Sequence, residues 1–484
     1  MAIHSKSCRC RNHHSTKIFS QYGGLDTALA YGASVRPSTN TMGYSTSGAI
    51  LMKIYLDTIG CRLNQSEIES MARGFRAVGH EIVTSAEMAD MAVVNTCAVT
   101  NEAAADSRGK IRHIARAGVN KIIATGCWAT LQPQQANDLP GVLRVITNDR
   151  KDHLVSDVLN LPQESFDLEP ISRQPLPGLH RRTRAFIKVQ DGCDNHCTFC
   201  VTTIARGEGR SRSVADVILD IQSALAGGTK EIVLTGVHLG SWGQDLLTSL
   251  KARSGKHLRD LIKAILRETD APRLRLSSLE PWDLDADFFS LWVDKRLMPH
   301  LHLPLQSGCE STLRRMARKI TPQSFRELVS AARTVMPDVA ITTDIIAGFP
   351  GETEDEFAES LEFVEEMNFA GGHVFSYSPR PGTGAAKMKG QIKPELRKKR
   401  NHVLYDALEE SAKSYRQKFI GQTISVLWES VSEMGEWGWQ MEGLSGNYLR
   451  VNAFAPSPRW NEIDRVILNE GNSDKIKGVI INKG

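Results

Sequence analysis

The chain has 484 residues, is 41% hydrophobic and 24% charged, and carries a formal net charge of +4. These are the proportions of an ordinary globular protein of about three domains. No apolar run approaches the roughly 18 residues that a transmembrane helix needs, so neither a membrane span nor a membrane partner is expected. The mild positive balance permits a nucleic-acid partner without arguing for one. Nine cysteines, an odd number spread over a long chain, speak against a disulfide framework and for metal ligation in a reducing, cytoplasmic setting.

In chain order, residues 1–51 stand apart. They hold one acidic residue, Asp26, and are rich in Ser, Gly, Thr and Asn. They lack the apolar segment and small-residue cleavage site of a secretory signal. The expectation is a disordered leader or a mis-assigned start, with Met52 opening the first folded strand; a transit peptide is the other reading. Cys8, Cys10, His13 and His14 are taken as solvated rather than metal-binding.

From Lys53, short apolar strands alternate with helices. Ile54–Leu56, Met91–Val94, Lys121–Ala124 and Val142–Ile146 read as strands, Gln65–Val78 and Glu102–Ala117 as helices. The alternation predicts an open parallel α/β domain over residues 52–165. Cys61, Cys97 and Cys127 each follow one of the first three strands. Ligands of open α/β sheets gather at the carboxyl ends of strands, so three thiols distant in sequence are expected on one rim. One such Cys would pass as a buried apolar residue; three at equivalent places read as a site with three ligands and a fourth position open.

Residues 180–412 hold a longer alternation. The strand Phe186–Gln190 leads into Cys193, Cys197 and Cys200, a C-x3-C-x2-C run with Phe199 before its last Cys. A structural zinc site wants four ligands. Three thiolates on one short loop suit an iron–sulfur cluster with one iron left open. A zinc loop borrowing His196 is the competing reading. Strands at Glu231–Thr235, Arg273–Ser277, His300–Pro304, Ala340–Ile346 and Gly372–Tyr377 follow, with helices such as Val214–Ala226 and Leu258–Glu268 between them. Six strands in βα order predict a barrel-like α/β unit whose chemistry lies in the loops after the strands, 234–240, 277–281, 304–308 and 347–352. Beyond Lys413 about five short alternating strands predict a small antiparallel barrel of OB-like type, a frequent nucleic-acid binder. There Trp428, Trp437, Trp439, Tyr448 and Trp460 are either core or base-stacking residues. The basic stretch Lys387–Arg400, with Lys398, Lys399 and Arg400, is either a solvated helix face or a phosphate-contacting one.

Several motifs go beyond pattern. Gly-Cys-Arg-Leu-Asn-Gln at 60–65, Asn-Thr-Cys-Ala-Val-Thr-Asn-Glu at 95–102, Ala-Arg-Gly-Glu-Gly-Arg-Ser-Arg at 205–212, His-Leu-Pro-Leu-Gln-Ser-Gly-Cys at 302–309 and Tyr-Ser-Pro-Arg-Pro-Gly-Thr at 377–383, with the C-x3-C-x2-C run, resemble the radical S-adenosylmethionine (SAM) methylthiotransferases. The resemblance covers nearly all of the chain after the leader and is strongest to the MtaB branch. It implies an N-terminal cluster domain, a central partial (β/α)6 barrel and a C-terminal TRAM domain at 413–484. It implies a transferase with two 4Fe-4S clusters, on Cys61, Cys97 and Cys127 and on Cys193, Cys197 and Cys200. No catalytic residue beyond these ligands is expected, and Gly236, Gly240, Gln306 and Asp344 are candidates for SAM contact. The implied reaction places a methylthio group on C2 of N6-threonylcarbamoyladenosine at position 37 of tRNA, served by a low-potential electron donor and a sulfur source. That C2–H is unactivated, so a radical cut of SAM at one cluster and a sulfur held at the other suit it. The alternatives are the same chemistry on isopentenyladenosine-37 or on a ribosomal-protein aspartate, or, in a different class, a non-catalytic iron–sulfur RNA-binding protein.

Overall fold

The computed structural model describes residues 51–162, 183–246, 257–472 and 475–481; residues 1–50 of the leader, with Cys8 and Cys10, lie outside them. The first strands are β1 (Lys53–Thr58), β2 (Glu81–Val83), β3 (Met91–Thr96), β4 (Ile122–Gly126) and β5 (Val142–Ile146), a parallel sheet in the order β2-β1-β3-β4-β5. β3 and β4 are buried throughout, as central parallel strands covered on both faces are, and hence read as continuous apolar runs. Successive residues of β3 point to opposite faces. Val93 packs with Ile68, Met71 and Phe75 of the helix Arg62–Ala77. Ala92 and Val94 pack with Ile111 and Ile114 of the helix Asn101–Arg116. The three-residue edge strand β2 was not foreseen; it is too short for its period to register.

A second series follows: β6 (Arg184–Lys188), the small antiparallel pair β7 (Gln190–Asp191) and β8 (Arg210–Ser211), then β9 (Glu231–Thr235), β10 (Arg273–Leu276), β11 (His300–His302), β12 (Ala340–Ala347) and β13 (Gly371–Ser376). Two parallel sheets, β10-β9-β6 and β11-β12-β13, are joined by parallel bridges Leu274–Leu297 and Ser278–His302. The six parallel strands thus run β6-β9-β10-β11-β12-β13, a partial (β/α)6 barrel. β12 shows how the interior arises: Ile341, Ile345 and Ala347 join the apolar core beneath the helices, while Thr342, Asp344 and Ile346 on the other face are only half-buried. β7 and β8 pinch together the ends of the segment that carries the C-x3-C-x2-C run.

The last strands, β14 (Thr423–Gly435), β15 (Gly438–Ser445), β16 (Arg450–Ala455), β17 (Ile463–Asn472) and β18 (Lys475–Ile480), close into a barrel in the order β14-β15-β16-β18-β17. All pairings are antiparallel except β16 with β18. The five aromatic candidates separate. Trp428 is fully buried in the barrel core, and Trp439 packs against that core. Tyr448 stacks on His300 of the central barrel at 4.0 Å. Trp460 is half-buried. Trp437, 74% exposed between β14 and β15, is open to a partner. The basic stretch also needs correcting. Arg400, read with Lys398 and Lys399 as a possible phosphate contact, points inward, 3% exposed, and pairs with Glu352 and Glu354, both at 2.8 Å. Lys398 and Lys399 are exposed.

Candidate functional site

The first cysteine set lies where β1, β3 and β4, adjacent in the sheet, end. Cys61 caps the helix Arg62–Ala77, Cys97 follows β3 directly, and Cys127 opens the short helix Cys127–Leu131 after β4. Gly60 shows how closely these ends meet. Its φ is +104°, and a Cβ placed there would sit 2.7 Å from Cys97 Sγ, so a side chain is excluded by both backbone and space. All three thiols are free and feel one another. Burial pushes Cys97 up to about 11, and Cys61 and Cys127 add to the rise. Cys61 keeps exposed surface at the rim, yet crowding by protein raises its thiol pKa, with the Arg206 guanidinium pulling the other way. Three such thiolates need a bound cationic centre to persist together, which is the chemistry of a metal cluster.

The second set sits between β7 and the helix Thr202–Arg206. Cys193, Cys197 and Cys200 are all half-buried and free. Gly192, φ +70°, turns the chain into the loop, and a Cβ there would collide with the Glu208 carbonyl. Each sulfur has a donor aimed at it. The backbone N–H of Asn195 reaches Cys193 Sγ at 3.4 Å, that of Thr202 reaches Cys200 Sγ at 3.4 Å, and Arg318 Nη1 lies 3.9 Å from Cys197 Sγ. Hydrogen bonds to sulfur of this kind tune iron–sulfur clusters. Burial raises Cys197 and Arg318 opposes it; Arg318 is in turn held by Glu280 at 2.7 Å. His238 pairs with Asp283 at 2.6 Å. Burial works against its charge, but the bonds to Asp283 and Cys193 outweigh it and bring the imidazole up to about 10. His196, the alternative zinc ligand, is exposed. Among the described residues no three His, Cys, Asp or Glu donors converge on the one point a single ion would occupy. A cubane asks for something else, one thiolate for each of three irons, and both sets fit that demand in donor type and number.

Beside the second set lies a cavity of about 200 Å3, which Cys200 lines. Val99 and Thr100, just after Cys97, line one side, and Phe199, Cys200 and Val201 another. Of the four SAM-contact candidates, Gln306 and Asp344 line this cavity, while Gly236 and Gly240 do not. Gly236 backs onto Gln190, and Gly240 backs onto Asp283. Gln306 holds φ +72°, unusual for a residue with a side chain and typical of ligand-clamping positions. Its N–H donates to the Asp344 carbonyl at 2.8 Å. Burial would raise the Asp344 carboxyl, but hydrogen bonds from His302 and His373, each at 3.2 Å, hold it well below the usual carboxylate range. Sequence reasoning did not single out His238, Asp283, Arg318 or Arg380, the last of which lines the cavity and reaches Asn101 Oδ1 at 2.6 Å. Arg380, inside the motif at 377–383, and His238, inside the loop 234–240, carried a signal that could have found them.

The geometry agrees with what the chain is similar to. Residues 53–147 match the family described as "Uncharacterized protein family UPF0004" and residues 187–364 the "Radical SAM superfamily". A Thermotoga maritima protein named threonylcarbamoyladenosine tRNA methylthiotransferase MtaB is 37% identical over 82% of this chain and 89% of its own length. Its Bacillus subtilis namesake is 33% identical over 81% and 88%. An Anaplasma marginale tRNA-2-methylthio-N(6)-dimethylallyladenosine synthase is 30% identical over 88% and 96%. Among solved structures, the radical SAM methyltransferase TsrM of Kitasatospora setae, with cobalamin and a [4Fe-4S] cluster bound, shares the fold at a TM-score of 0.52, with 14% identity over 70% of this chain and 77% of that one. A central radical SAM barrel, an N-terminal three-cysteine sheet and relatives matched along most of their length lead to one conclusion: the chain belongs to the radical SAM tRNA methylthiotransferases.

Proposed function

We propose that this protein transfers a methylthio group to C2 of N6-threonylcarbamoyladenosine at position 37 of tRNA. The observation that carries the reading is one cavity lined both by Val99 and Thr100, in the loop after Cys97, and by Cys200 of the second set. Cys61, Cys97 and Cys127 would hold one 4Fe-4S cluster, and Cys193, Cys197 and Cys200 the other, each leaving one iron without a thiolate. When bound, the second supplies the electron that cleaves SAM to a hydrogen-abstracting radical, and the first presents the sulfur. The chain's own share is to hold, orient and exclude water. Phe199, Ile346 and Phe375 give the cavity apolar walls suited to a flat base. Gln306 and Asp344 offer polar groups at its barrel side, where SAM contact is proposed; Gly236 and Gly240 would act through the Gln190 and Asp283 they back onto.

The threonylcarbamoyl substrate is favoured over the isopentenyl one by the higher identity to the MtaB relatives. Free thiols and a tRNA substrate support a cytoplasmic setting with a low-potential electron donor and a sulfur source as partners; among the described residues no helix is long and apolar enough to cross a membrane. The proposed domains are 52–165, 180–412 and 413–484, the last boundary falling inside the helix Pro394–Gln417. The test is nucleoside mass spectrometry of tRNA from cells lacking this gene. The expected result is loss of 2-methylthio-N6-threonylcarbamoyladenosine with its unthiolated parent retained. Loss of the isopentenyl counterpart instead would overturn the substrate assignment.

A further inference from the structure

Both cysteine sets are tied to one buried guanidinium. Arg206 ends the helix Thr202–Arg206, six residues beyond Cys200, and its side chain is 2% exposed. Nη1 donates to Glu67 Oε1 at 2.8 Å and to Asp191 Oδ1 at 2.9 Å; Nη2 donates to Asn64 Oδ1 at 2.8 Å and Glu67 Oε2 at 3.3 Å. Asp191 lies two residues before Cys193. Asn64 and Glu67 lie on the first turns of the helix that Cys61 caps. Asn64 passes the contact on, its Nδ2 donating to the carbonyls of Ile59 at 2.7 Å and Thr96 at 3.2 Å, which precede Cys61 and Cys97. The carbonyl of Ala205, next to Arg206, accepts from Asn148 Nδ2 at 2.8 Å, and that same nitrogen lies 3.8 Å from Cys127 Sγ. Lys151, also 2% exposed, closes the network on Glu67 at 2.8 Å.

A buried ionic network is a poor way to gain stability, since apolar side chains of like volume do as well or better. What it does supply is a fixed register, because each bond has a length and a direction. Methylthio transfer needs such a register. The sulfur at one site must meet a carbon activated from the other, and misplacement by about 1 Å costs on the order of a hundredfold in rate. We infer that Arg206 is a positioning residue for methylthio transfer: through Glu67, Asn64 and Asp191 it sets the spacing of the two cysteine sets and so couples SAM cleavage to sulfur delivery. Its side-chain donations go to Glu67, Asp191 and Asn64 rather than to a cysteine sulfur. This rests on the two-cluster reading above.

The test compares reconstituted wild-type protein with Arg206→Lys, which keeps the charge but replaces a planar fork reaching four acceptors by a single ammonium. Iron content, 5′-deoxyadenosine and methylthiolated nucleoside are measured on the same samples. The expected result is unchanged iron and a ratio of 5′-deoxyadenosine to methylthiolated product raised on the order of tenfold or more. In a background lacking Cys193, Cys197 and Cys200, Arg206→Lys is also expected to shift the electron paramagnetic resonance spectrum of the remaining reduced cluster, a readout that needs no turnover. If Arg206→Lys does not fold, Glu67→Gln, which keeps the shape of the acceptor and removes its charge, is expected to raise the same ratio. Iron, SAM cleavage and product falling in parallel, or a ratio unchanged in an iron-replete variant, would overturn the inference. A wild-type protein that cleaves SAM but makes no methylthio product would instead defeat the two-cluster reading, and the inference with it.

Discussion

At the scale of residues, spacing and position in the sequence single out the six cysteines proposed as cluster ligands, but not the groups that surround their sulfurs. Arg318 comes from 118 positions beyond Cys200, and His238 from the loop after β9; only the fold brings them to the C-x3-C-x2-C run. The division of iron between the sets is testable. Replacing Cys193, Cys197 and Cys200 together by Ala should leave about half the iron of a reconstituted two-cluster protein, measured by iron assay and absorbance. Tight binding of one zinc without iron–sulfur absorbance would contradict it. Gly192→Ala should act on the same cluster by another route. A Cβ at φ +70° facing the Glu208 carbonyl costs on the order of 1–3 kcal/mol locally, enough to open the pinched loop. The variant should lose about half its iron while the first set keeps its own.

At the scale of elements, the long periodic ones were legible. Val214–Ala226, Glu231–Thr235 and Leu258–Glu268 appear with the bounds their sequence suggests. β2 and the β7–β8 pair were not, because two or three residues carry no period and such strands exist only through their partners. The helix Pro394–Gln417 shows the same limit for charge. Its basic run looks uniform in sequence, but Arg400 is turned to Glu352. Neutralising Lys398 and Lys399 should therefore lower the salt dependence of tRNA binding by about 1 to 2 units of slope, by titration at several salt concentrations. Arg400→Gln should instead destabilise the fold by about 3 kcal/mol, as breaking a buried pair does, by urea denaturation. A pH effect belongs here too. Glu356, in the capping box of the helix Glu354–Met367, is hydrogen-bonded by Arg315, and its pKa falls from 4.5 to about 2. A carboxyl depressed in the folded state stabilises it fully above its ordinary value and ceases to do so as the pH falls towards 2. The Tm difference between wild type and Glu356→Gln should be constant above about pH 5 and vanish in acid.

At the scale of the whole molecule, the C-terminal barrel is more than an appended RNA-binding module. Arg273 donates to the carbonyls of Leu444 and Ser425, and Arg275 to those of Gly446 and Ser445 while paired to Glu231 at 2.8 Å. Tyr448 lies against His300, with Arg62 at 2.6 Å from its hydroxyl. Truncation near residue 413 would remove these carbonyl acceptors and leave the two buried arginines only Glu231, so it would disturb the catalytic barrel as well as tRNA binding. Point changes separate the two. Tyr448→Ala should cost on the order of 1–3 kcal/mol of stability, less than loss of a fully buried aromatic because Tyr448 is half-buried, whereas Trp437→Ala should change stability by less than about 0.5 kcal/mol and be felt only in tRNA affinity. The sequence by itself determined the α/β alternation, the closing β segment and the C-x3-C-x2-C run, because period, turn residues and short spacings are local, and it showed Cys61, Cys97 and Cys127 as a recurrence after successive strands. Only the tertiary structure decided that the loop after Cys97 and Cys200 line one cavity, that Arg206 bonds to residues beside both sets, that Arg400 is structural and that Tyr448 belongs to the interface between barrels. Each of these is a contact between residues far apart in the chain, and burial and pairing exist only once those residues meet.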